Sequence, residues 1–478
     1  MPLPVSLLNI RVMRNLSIII SLFISFPISA QHWATIGKFN NSISTFFVDH
    51  ITEELYIGGS FCFFNSDTMV GMAKWNGTNM STLGCGVEWD CIPTQVSGYT
   101  NPAYAMNRYN NDIFVAGSFT HAGGCMVNGL TKWDGNVWTK FGSGLKTSDG
   151  NSGIGLCLKE IDNTLYLGGV FDSIDGVACH SLAKFNGTGW SSVNNFPLFS
   201  ITPGYINWVY DIELYNNELY VCGNFYNYPQ MTIDHIAKWD GTNWVNVGNG
   251  IHGGIRDARK MVVFKNELVV AGRFSKSVNP TNPGENIGKW NGTQWSELGS
   301  GTDDIIDDMK VKDGNLYICG AFSTAGGISA HNLARWDGSK WCGFGNTINY
   351  GIITSLDFLN DTLYIGGGFI IVNIDTIWNM AKWTGGTYID TCSSTIGIEE
   401  NENQLHSITI YPNPATNTLY INGLSGINTA EVYDISGKLL LSRQLNTNQI
   451  DISALAKGLY FVKLSAEEGS VVRKFVKE

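Results

Sequence analysis

Four histidines are the side chains of this sequence best suited to bind a metal or to transfer protons at neutral pH. They are His121, His180, His235 and His331. The last three belong to a sequence segment that recurs along the chain and is described below. Each stands four or five positions before an aromatic residue of that segment. Other copies of that segment have an asparagine at this position, namely Asn128, Asn286 and Asn379. Because equivalent positions in different copies serve one local role, we predict hydrogen bonding at the start of a strand and no shared metal site.

The densest group of carboxylates is a second candidate, since carboxylates and nearby carbonyls can bind calcium. It consists of Asp303, Asp304, Asp307 and Asp308. Its spacing matches no calcium-loop pattern, which favours a solvated acidic surface at the entry to a strand. The sequence contains no recognisable catalytic set and no Cys/His spacing of a zinc site. We therefore predict no catalytic residue, no metal and no cofactor.

Ten cysteines form an even set that permits disulfides in an exported chain. Cys85 and Cys91 lie six positions apart in an irregular segment and are the predicted disulfide. Cys222 and Cys319 occupy the same place in two copies of the recurring segment, inside apolar runs. We predict that these two are buried free thiols.

The recurring segment organises most of the chain and occurs seven times. Each copy has a glycine two residues before a phenylalanine; the phenylalanines are Phe61, Phe119, Phe171, Phe225, Phe274, Phe322 and Phe369. Each copy then reaches an aromatic residue with another glycine two positions later; these aromatics are Trp75, Trp133, Phe185, Trp239, Trp290, Trp336 and Trp383. Successive copies are about 46 to 58 residues apart, a period typical of propeller blades.

A second aromatic residue follows the first by five positions in six copies. These residues are Trp138, Trp190, Trp244, Trp295, Trp341 and Tyr388, and Met80 stands there in the first copy. Across a short turn the two rings can cover the gap between neighbouring blades. We predict a structural role for them in preference to sugar stacking, because burial is the usual fate of such residues.

Each copy contains the signals of two hairpins. In the fourth copy, residues 209–214 and 218–223 flank Asn216-Asn217, and residues 235–239 and 244–247 flank a turn with Asp240-Gly241. Two hairpins make a four-stranded antiparallel blade. Residues 32–37 resemble the end of a copy without its beginning, so an N-terminal strand can complete the last blade. The predicted fold is all-β: a seven-bladed β-propeller of four-stranded antiparallel blades over residues 31–394, followed by a small C-terminal β-sandwich.

Glycine pairs after apolar strands add a family resemblance. They are Gly58-Gly59, Gly168-Gly169 and Gly366-Gly367, and each precedes an aromatic, a Gly turn and a further aromatic or Met. This pattern resembles the kelch type of β-propeller repeat. The resemblance implies the fold but does not support an enzymatic activity, since the Tyr/His/Cys set of the copper enzymes in that group has no counterpart here.

The repeat stops before residues 395–404, which are predicted to form a linker. The pattern of residues 405–478 predicts alternating strands and turns. This tail resembles the C-terminal sorting domain of the type IX secretion system of Bacteroidetes. The residues that carry the resemblance are Tyr411, Pro412, Asn413, Pro414, Gly437, Lys438, Gly458 and Tyr460. It implies a partnership with the type IX machinery and passage through the periplasm. The protein would then be secreted or attached to the outer-membrane surface.

Residues 1–30 have the pattern of a signal peptide. Arg11 and Arg14 precede an apolar run, residues 16–26, and Ala30 offers a cleavage point. A retained membrane helix is the less favoured alternative because the run is short. The formal net charge of −11 makes nucleic acid an unsuitable partner.

Function is expected on the variable loops at the channel mouth, because loops on a rigid framework carry most binding residues. The candidate binding residues there are Trp89, Tyr99, Tyr205, Trp208, Tyr226, Tyr228, Arg256 and Arg259. We expect a monomeric, secreted or cell-surface binding propeller that recognises a glycan, a peptide or a surface protein. Two alternatives remain open: a secreted polysaccharide-degrading enzyme, which needs paired carboxylates or a Tyr/His pair at the mouth, and a purely structural or adhesion protein.

Overall fold

The computed structural model describes residues 33–88, 102–193, 196, 207–226, 233–251, 257–276, 279–344, 350–372, 376–384, 409–422, 427–434, 438–445, 447–466 and 469–478. Regular structure in these residues is β-strand throughout, which confirms the all-β class. None of these residues forms a helix with the length and apolarity needed to cross a bilayer. The predicted leader and linker lie outside the described residues. The chain divides into two compact units, one up to Thr391 and the other from Cys392.

The first half of the first unit holds the strands β1 (Trp33–Thr35), β2 (Ile43–Asp49), β3 (Glu54–Gly59), β4 (Phe63–Phe64), β5 (Asp67–Thr68), β6 (Met72–Trp75), β7 (Met80–Thr82), β8 (Val87–Glu88), β9 (Ala103–Tyr109), β10 (Asp112–Gly117), β11 (His121–Ala122), β12 (Cys125–Met126), β13 (Leu130–Trp133), β14 (Trp138–Lys140), β15 (Leu145–Lys146), β16 (Ile154–Ile161), β17 (Thr164–Val170), β18 (Ser173–Ile174), β19 (Val177–Ala178), β20 (Leu182–Phe185) and β21 (Trp190–Ser192).

The second half of this unit holds the strands β22 (Trp208–Tyr215), β23 (Glu218–Tyr226), β24 (Asp234–Trp239), β25 (Trp244–Asn246), β26 (Asp257–Phe264), β27 (Glu267–Arg273), β28 (Ile287–Trp290), β29 (Trp295–Glu297), β30 (Ile306–Lys312), β31 (Asn315–Gly320), β32 (Thr324–Ala325), β33 (Ile328–Ser329), β34 (Leu333–Trp336), β35 (Trp341–Gly343), β36 (Tyr350–Leu359), β37 (Thr362–Val372) and β38 (Thr376–Trp383).

Seven four-stranded antiparallel sheets are present in the described part of this unit. In chain order, numbered one to seven, they are β2-β3-β6-β7, β9-β10-β13-β14, β16-β17-β20-β21, β22-β23-β24-β25, β26-β27-β28-β29, β30-β31-β34-β35 and β36-β37-β38-β1. Sheet seven therefore takes its outermost strand from the N-terminal side of sheet one. The pairing of β1 with β38, which sets Trp33 opposite Trp383, is the arrangement expected from the incomplete copy at residues 32–37.

The first strands of the seven sheets pack against one another in series. β2 contacts β9, the series continues through β16, β22, β26, β30 and β36, and β36 contacts β2. The first glycine of the Gly-Gly pairs permits this approach. A Cβ at Gly58 would lie 3.0 Å from the Cβ of Ala103, and one at Gly168 would lie 2.5 Å from Cγ1 of Val209, in the next sheet in each case. The contact at Gly168 is closer than real Cβ atoms come and the one at Gly58 is at that limit, so glycine allows the sheets to approach there.

The paired aromatic residues pack between neighbouring sheets, as predicted from the sequence. Trp290 and Trp295 are cross-strand partners with ring centroids 5.3 Å apart, and Trp336 and Trp341 repeat this at 5.2 Å. The second ring of a pair reaches the preceding sheet: Nε1 of Trp341 donates to the carbonyl of Leu298 at 3.0 Å. The predicted structural role is therefore confirmed for these pairs.

The histidines and asparagines at equivalent positions share a backbone conformation. All six have positive φ: Asn128 at 49°, His180 at 32°, His235 at 59°, Asn286 at 61°, His331 at 41° and Asn379 at 63°. Asparagine and histidine are enriched in this left-handed region. The asparagines also bond to the segment that leads to the next sheet, as when Nδ2 of Asn286 donates to the carbonyl of Thr302 at 2.8 Å. No three His, Cys, Asp or Glu side chains in the described residues are grouped to hold a metal ion.

The second unit contains two antiparallel sheets around one core. Its strands are β39 (Thr409–Tyr411), β40 (Thr418–Asn422), β41 (Ile427–Tyr433), β42 (Leu439–Gln444), β43 (Gln449–Asp451), β44 (Gly458–Ala466) and β45 (Gly469–Lys477). The sheets have the orders β39-β40-β43 and β42-β41-β44-β45. Leu419 and Ile450 from the first sheet join Val432, Val462 and Phe475 from the second in a common buried cluster. This packing is that of a small β-sandwich.

The cysteines behave partly as expected. Cys222 and Cys319 are buried free thiols whose pKa is raised chiefly by burial. Cys85 is an exposed free cysteine, so the predicted disulfide of Cys85 is wrong; Cys91, its predicted partner, lies outside the described residues. Cys342 does form a disulfide, with a partner outside the described residues. The sequence pattern did not indicate that bond.

Candidate ligand-binding cavity

Each first strand of the seven sheets carries a β-bulge at the same place. The register of its pairing with the second strand skips one residue in every case. The skipped residues are Ser44, Tyr104, Leu156, Tyr210, Arg259, Asp307 and Thr354. A bulge leaves one residue unpaired and changes the direction of its side chain, and bulges are common beside functional sites.

All seven bulged residues line one cavity of about 400 Å³. The cavity lies toward the beginning of the first strands, since Trp208 opens β22 and Arg259 is the third residue of β26. This is the end at which the variable loops enter. The cavity therefore occupies the face on which we expected binding.

The cavity has an aromatic and aliphatic side and a polar side. Sheets two to four contribute the first, with Tyr104, Ile154, Leu156, Trp208 and Tyr210. Sheets five to seven and sheet one contribute the second, with Arg259, Lys260, Asp307, Asp308, Lys310, Thr354, Ser355, Ser44 and Thr45, to which Phe46 adds one apolar ring. Such a lining can hold a ligand with one apolar and one polar face.

Arg259 stands at the boundary between the two sides and is held by three neighbours. Its Nε donates to Oδ2 of Asp257 at 3.1 Å and its Nη1 to Oδ1 of Asp307 at 2.7 Å. Its guanidinium carbon lies 5.8 Å from the ring centroid of Tyr210. Burial lowers the pKa of Arg259, but the two carboxylates raise it further, and the net shift is upward. The guanidinium is thus charged and fixed in orientation.

Burial raises the pKa of the Asp307 carboxyl, although the nearby Arg259 acts to lower it.

Trp208 and Tyr210 form a row of two aromatic rings, with their centroids 5.8 Å apart and their planes at 39° to each other. Burial also raises the pKa of Tyr210 to about 12, so its hydroxyl is protonated at neutral pH. Two aromatic rings (Trp208 and Tyr210), a cation (Arg259) and a carboxylate (Asp307) thus follow one another along the cavity wall.

A second set of contacts ties five sheets together beneath the bulges. Lys260 Nζ lies 3.4 Å from Oδ1 of Asp308, and the other oxygen of Asp308 accepts from Oγ of Ser355 at 3.0 Å. Ser355 Oγ accepts from the backbone N–H of Phe46, and the carboxylate of Asp211 accepts from that of Met261 at 2.8 Å.

Burial lowers the pKa of Lys260, while the carboxylates of Asp211 and Asp308 raise it, and the net shift is upward. The contacts therefore link sheet four to sheet five, and sheet five through six and seven to sheet one. This arrangement stiffens the wall of the cavity.

The interpretation of the acidic cluster as a solvated surface is wrong for two of its members. The side chains of Asp307 and Asp308 are 15% and 8% exposed, because Arg259 and Lys260 on the neighbouring strand neutralise them. Asp303 and Asp304 are exposed, as expected. Asp303 accepts from the backbone N–H groups of Ser323 and Thr324 at 2.8 Å each.

Two of the eight predicted binding residues, Trp208 and Arg259, line the cavity. Tyr226 ends β23, and nothing is described of its side chain. The other five lie outside the described residues: Trp89, Tyr99, Tyr205, Tyr228 and Arg256. The binding role of all eight stays a prediction.

Sequence reasoning missed most of the cavity lining, although a signal for it exists. In Ala258-Arg259-Lys260-Met261 and Ile306-Asp307-Asp308-Met309, two adjacent charged residues stand between two buried apolar ones. A regular strand alternates with period two, so a doublet of this kind marks a bulge.

The tail can be assigned by comparison with known families. Residues 409–478 match the model of the secretion system C-terminal sorting domain. The tail is a type IX secretion sorting domain. This confirms the resemblance carried by its motifs and supports secretion or attachment at the cell surface.

The structure shows what one of these motifs does within the domain. Asn413 bonds to the last strand, donating through Nδ2 to the carbonyl of Lys474 at 3.1 Å and accepting from the N–H of Val476 at 2.9 Å. Tyr460 donates to the carbonyl of Ala456 at 2.8 Å. Gly437 lies outside the described residues.

Solved structures similar to the whole chain come from extracellular proteins. One is the extracellular domain of BT4673 from B. thetaiotaomicron, at 11% identity and a TM-score of 0.45, with 94% of this chain and 57% of that one covered. Another is PorZ, described as an essential bacterial surface component of the type IX secretion system of Porphyromonas gingivalis. It has 14% identity and a TM-score of 0.35, with 89% and 64% covered. The chain thus spans less than two thirds of either protein. No curated protein matches the chain.

Proposed function

We propose that this protein is a secreted or cell-surface binding protein whose seven sheets are the blades of one kelch-like β-propeller. It binds a small chemical group of an extracellular glycan, peptide or surface protein in the central cavity. The observation that carries the proposal is the set of seven bulges, which direct one side chain from each sheet toward the same 400 Å³ space. Repetition of a bulge at one position in every sheet is a feature that packing alone does not require.

The rigidity of the lining supports binding. Arg259 is held by two carboxylates and Asp308 by Lys260 and Ser355, so the free protein already has these groups in place. A site organised in this way loses little conformational entropy when a ligand enters. The sorting domain supplies the route to the outside of the cell through the type IX machinery, and we propose that the protein acts there as a monomer.

The carboxylates of the cavity favour binding over polysaccharide cleavage. A glycosidase needs two carboxyl groups that face the substrate as acid and base or nucleophile. Among the described cavity residues the carboxylates are Asp307 and Asp308, and each is paired with a cation. The aromatic side chains Tyr104, Trp208 and Tyr210 in the cavity lining also speak against a purely structural protein, whose loop face would carry no such cluster.

A binding screen with the full chain tests the proposal. The screen uses arrays of polysaccharides and peptides, followed by titration of any hit. Arg259→Gln is expected to weaken binding at least about tenfold, because it removes a charged hydrogen-bond donor from the cavity wall. Arg273→Gln is the matched control, since Arg273 lies in the same sheet and is exposed outside the lining. Failure to bind any probe, or binding that Arg259→Gln leaves unchanged, would overturn the proposal.

A further inference from the structure

We infer that the group bound in the cavity is a single neutral sugar ring at a chain end or side branch of a glycan. This inference rests on the proposed binding function. It follows from four properties of the lining: the aromatic row, the hydrogen-bonding groups beside it, the pairing of charges and the volume.

The aromatic row offers a surface for the apolar face of a sugar. Trp208 and Tyr210 both lie on β22, their ring centroids are 5.8 Å apart, and both side chains are half-buried. A pyranose ring presents axial C–H groups on one face, and these pack well against aromatic rings. Leu156 of the neighbouring sheet extends the same apolar side.

The wall beside the aromatic row offers donors and acceptors at short spacing. Arg259 carries N–H donors beside the carboxylate of Asp307, and Thr354 adds a hydroxyl from sheet seven. Adjacent sugar hydroxyls each donate and accept, so they match a neighbouring guanidinium and carboxylate. An amino-acid side chain with one polar end uses fewer of these groups.

The charges of the lining favour a neutral ligand. Three cations line the cavity, and each has a carboxylate partner: Arg259 with Asp307, Lys260 with Asp308, and Lys310 with Asp357 at 3.0 Å. An anionic ligand would compete with these carboxylates for the cations, and a cationic ligand would compete in the opposite sense. Breaking such pairs costs desolvation and repulsion energy, which a polyhydroxylated neutral ring avoids.

The volume limits the length of what is bound. About 400 Å³ lies near the lower end of the range for small-molecule pockets. A single sugar ring fits this space, whereas a long stretch of polysaccharide or polypeptide does not. The glycan is therefore expected to enter by its end.

The test uses the full chain and four sets of probes: neutral oligosaccharides, the corresponding methyl monoglycosides, anionic polysaccharides and peptides. We expect saturable binding of a neutral oligosaccharide that a methyl monoglycoside displaces. Trp208→Ala is expected to weaken it at least about tenfold, because it removes a large ring against which the apolar face of the sugar packs. Tyr350→Ala is the matched control, because Tyr350 is 70% exposed and lies outside the lining.

Asp307→Asn is a second variant, close in shape to the original side chain, in case Trp208→Ala impairs folding. It is expected to weaken sugar binding without lowering the melting temperature of the protein by more than a few degrees. If only peptides or anionic polysaccharides bind, and either variant loses that binding, the sugar inference is overturned and the proposed function is upheld. Absence of binding in all four probe sets would overturn both.

Discussion

Lys260 Nζ lies 3.4 Å from Oδ1 of Asp308, across the boundary between sheets five and six. Asp308 is buried and also accepts hydrogen bonds from Ser355 Oγ and the N–H of Leu356. The pair therefore joins three sheets at the cavity wall. Removing the cation would leave a buried carboxylate without its partner, which is far more costly than the loss of a surface pair.

We expect Lys260→Met to lower the free energy of unfolding by about 2–4 kcal/mol. Lys74→Met is the control, because Lys74 is similarly exposed and pairs with Glu54 on the outside of one sheet, and its cost should stay below about 1 kcal/mol. Urea unfolding followed by tryptophan fluorescence measures both, and all 15 tryptophans precede the sorting domain. Equal effects of the two substitutions would contradict a structural role for the pair.

Trp33 connects the N-terminal strand to the last sheet. It is 6% exposed, stands opposite Trp383 in the register, and has its ring centroid 5.1 Å from that of Trp383. Trp33→Ala is expected to cost about 3–5 kcal/mol, because it removes a large buried ring. Val137→Ala, at a side chain that is 57% exposed, should leave the urea midpoint unchanged. A small effect of Trp33→Ala would mean that β1 contributes little to closing sheet seven.

Asp49 and Arg108 join sheets one and two and predict a pH effect. Arg108 Nε donates to Asp49 Oδ1 at 2.8 Å. Burial acts to raise the pKa of Asp49, but hydrogen bonds from Arg108, Thr52 and the N–H of Ile51 outweigh it and lower the pKa to about 2. Since the folded pKa lies below the unfolded one, the stabilisation is present above about pH 4 and is lost as the pH falls through 2.

Asp49→Asn should therefore cost about 1–2 kcal/mol at pH 6, allowing for solvent screening, and progressively less between pH 4 and pH 2. Unfolding midpoints of both proteins across this pH range measure the difference. Asp67→Asn, at an exposed position, is the control and should leave the curve unchanged. A difference that stays constant down to pH 2 would argue against the ion pair as its source.

Gly241 sits in the turn of sheet four with φ of 97°, and a Cβ there would meet nothing within 4 Å. Gly241→Ala is expected to cost about 1–2 kcal/mol through backbone conformation alone. Gly189 offers the matched control, because its surroundings are equally open and its φ is outside the left-handed range. Thermal unfolding of the two variants compares them, and equal melting temperatures would refute the backbone explanation.

Much of the architecture follows from local sequence. The recurrence of Gly-x-Phe and of the aromatic pair predicts repeated four-stranded units, because each unit requires the same turn and the same buried rings. The left-handed positions of Asn128 and His180 could likewise be recognised as equivalent, since backbone conformation depends on neighbouring residues. The sorting domain was recognisable from motifs within one continuous stretch, residues 409–478.

The cavity was decided by the tertiary structure. Arg259 and Asp307 are 48 positions apart and meet only because β26 and β30 are packed side by side. The same is true of Lys260 and Asp308, whose charges alone suggested solvent exposure. Pairing between strands and packing between sheets are long-range contacts that a single repeat does not encode, so the bulges of β26 and β30 had a visible pattern but no visible partner. Local sequence determined the four-stranded sheets of this protein, and only their assembly brought seven different side chains to one site.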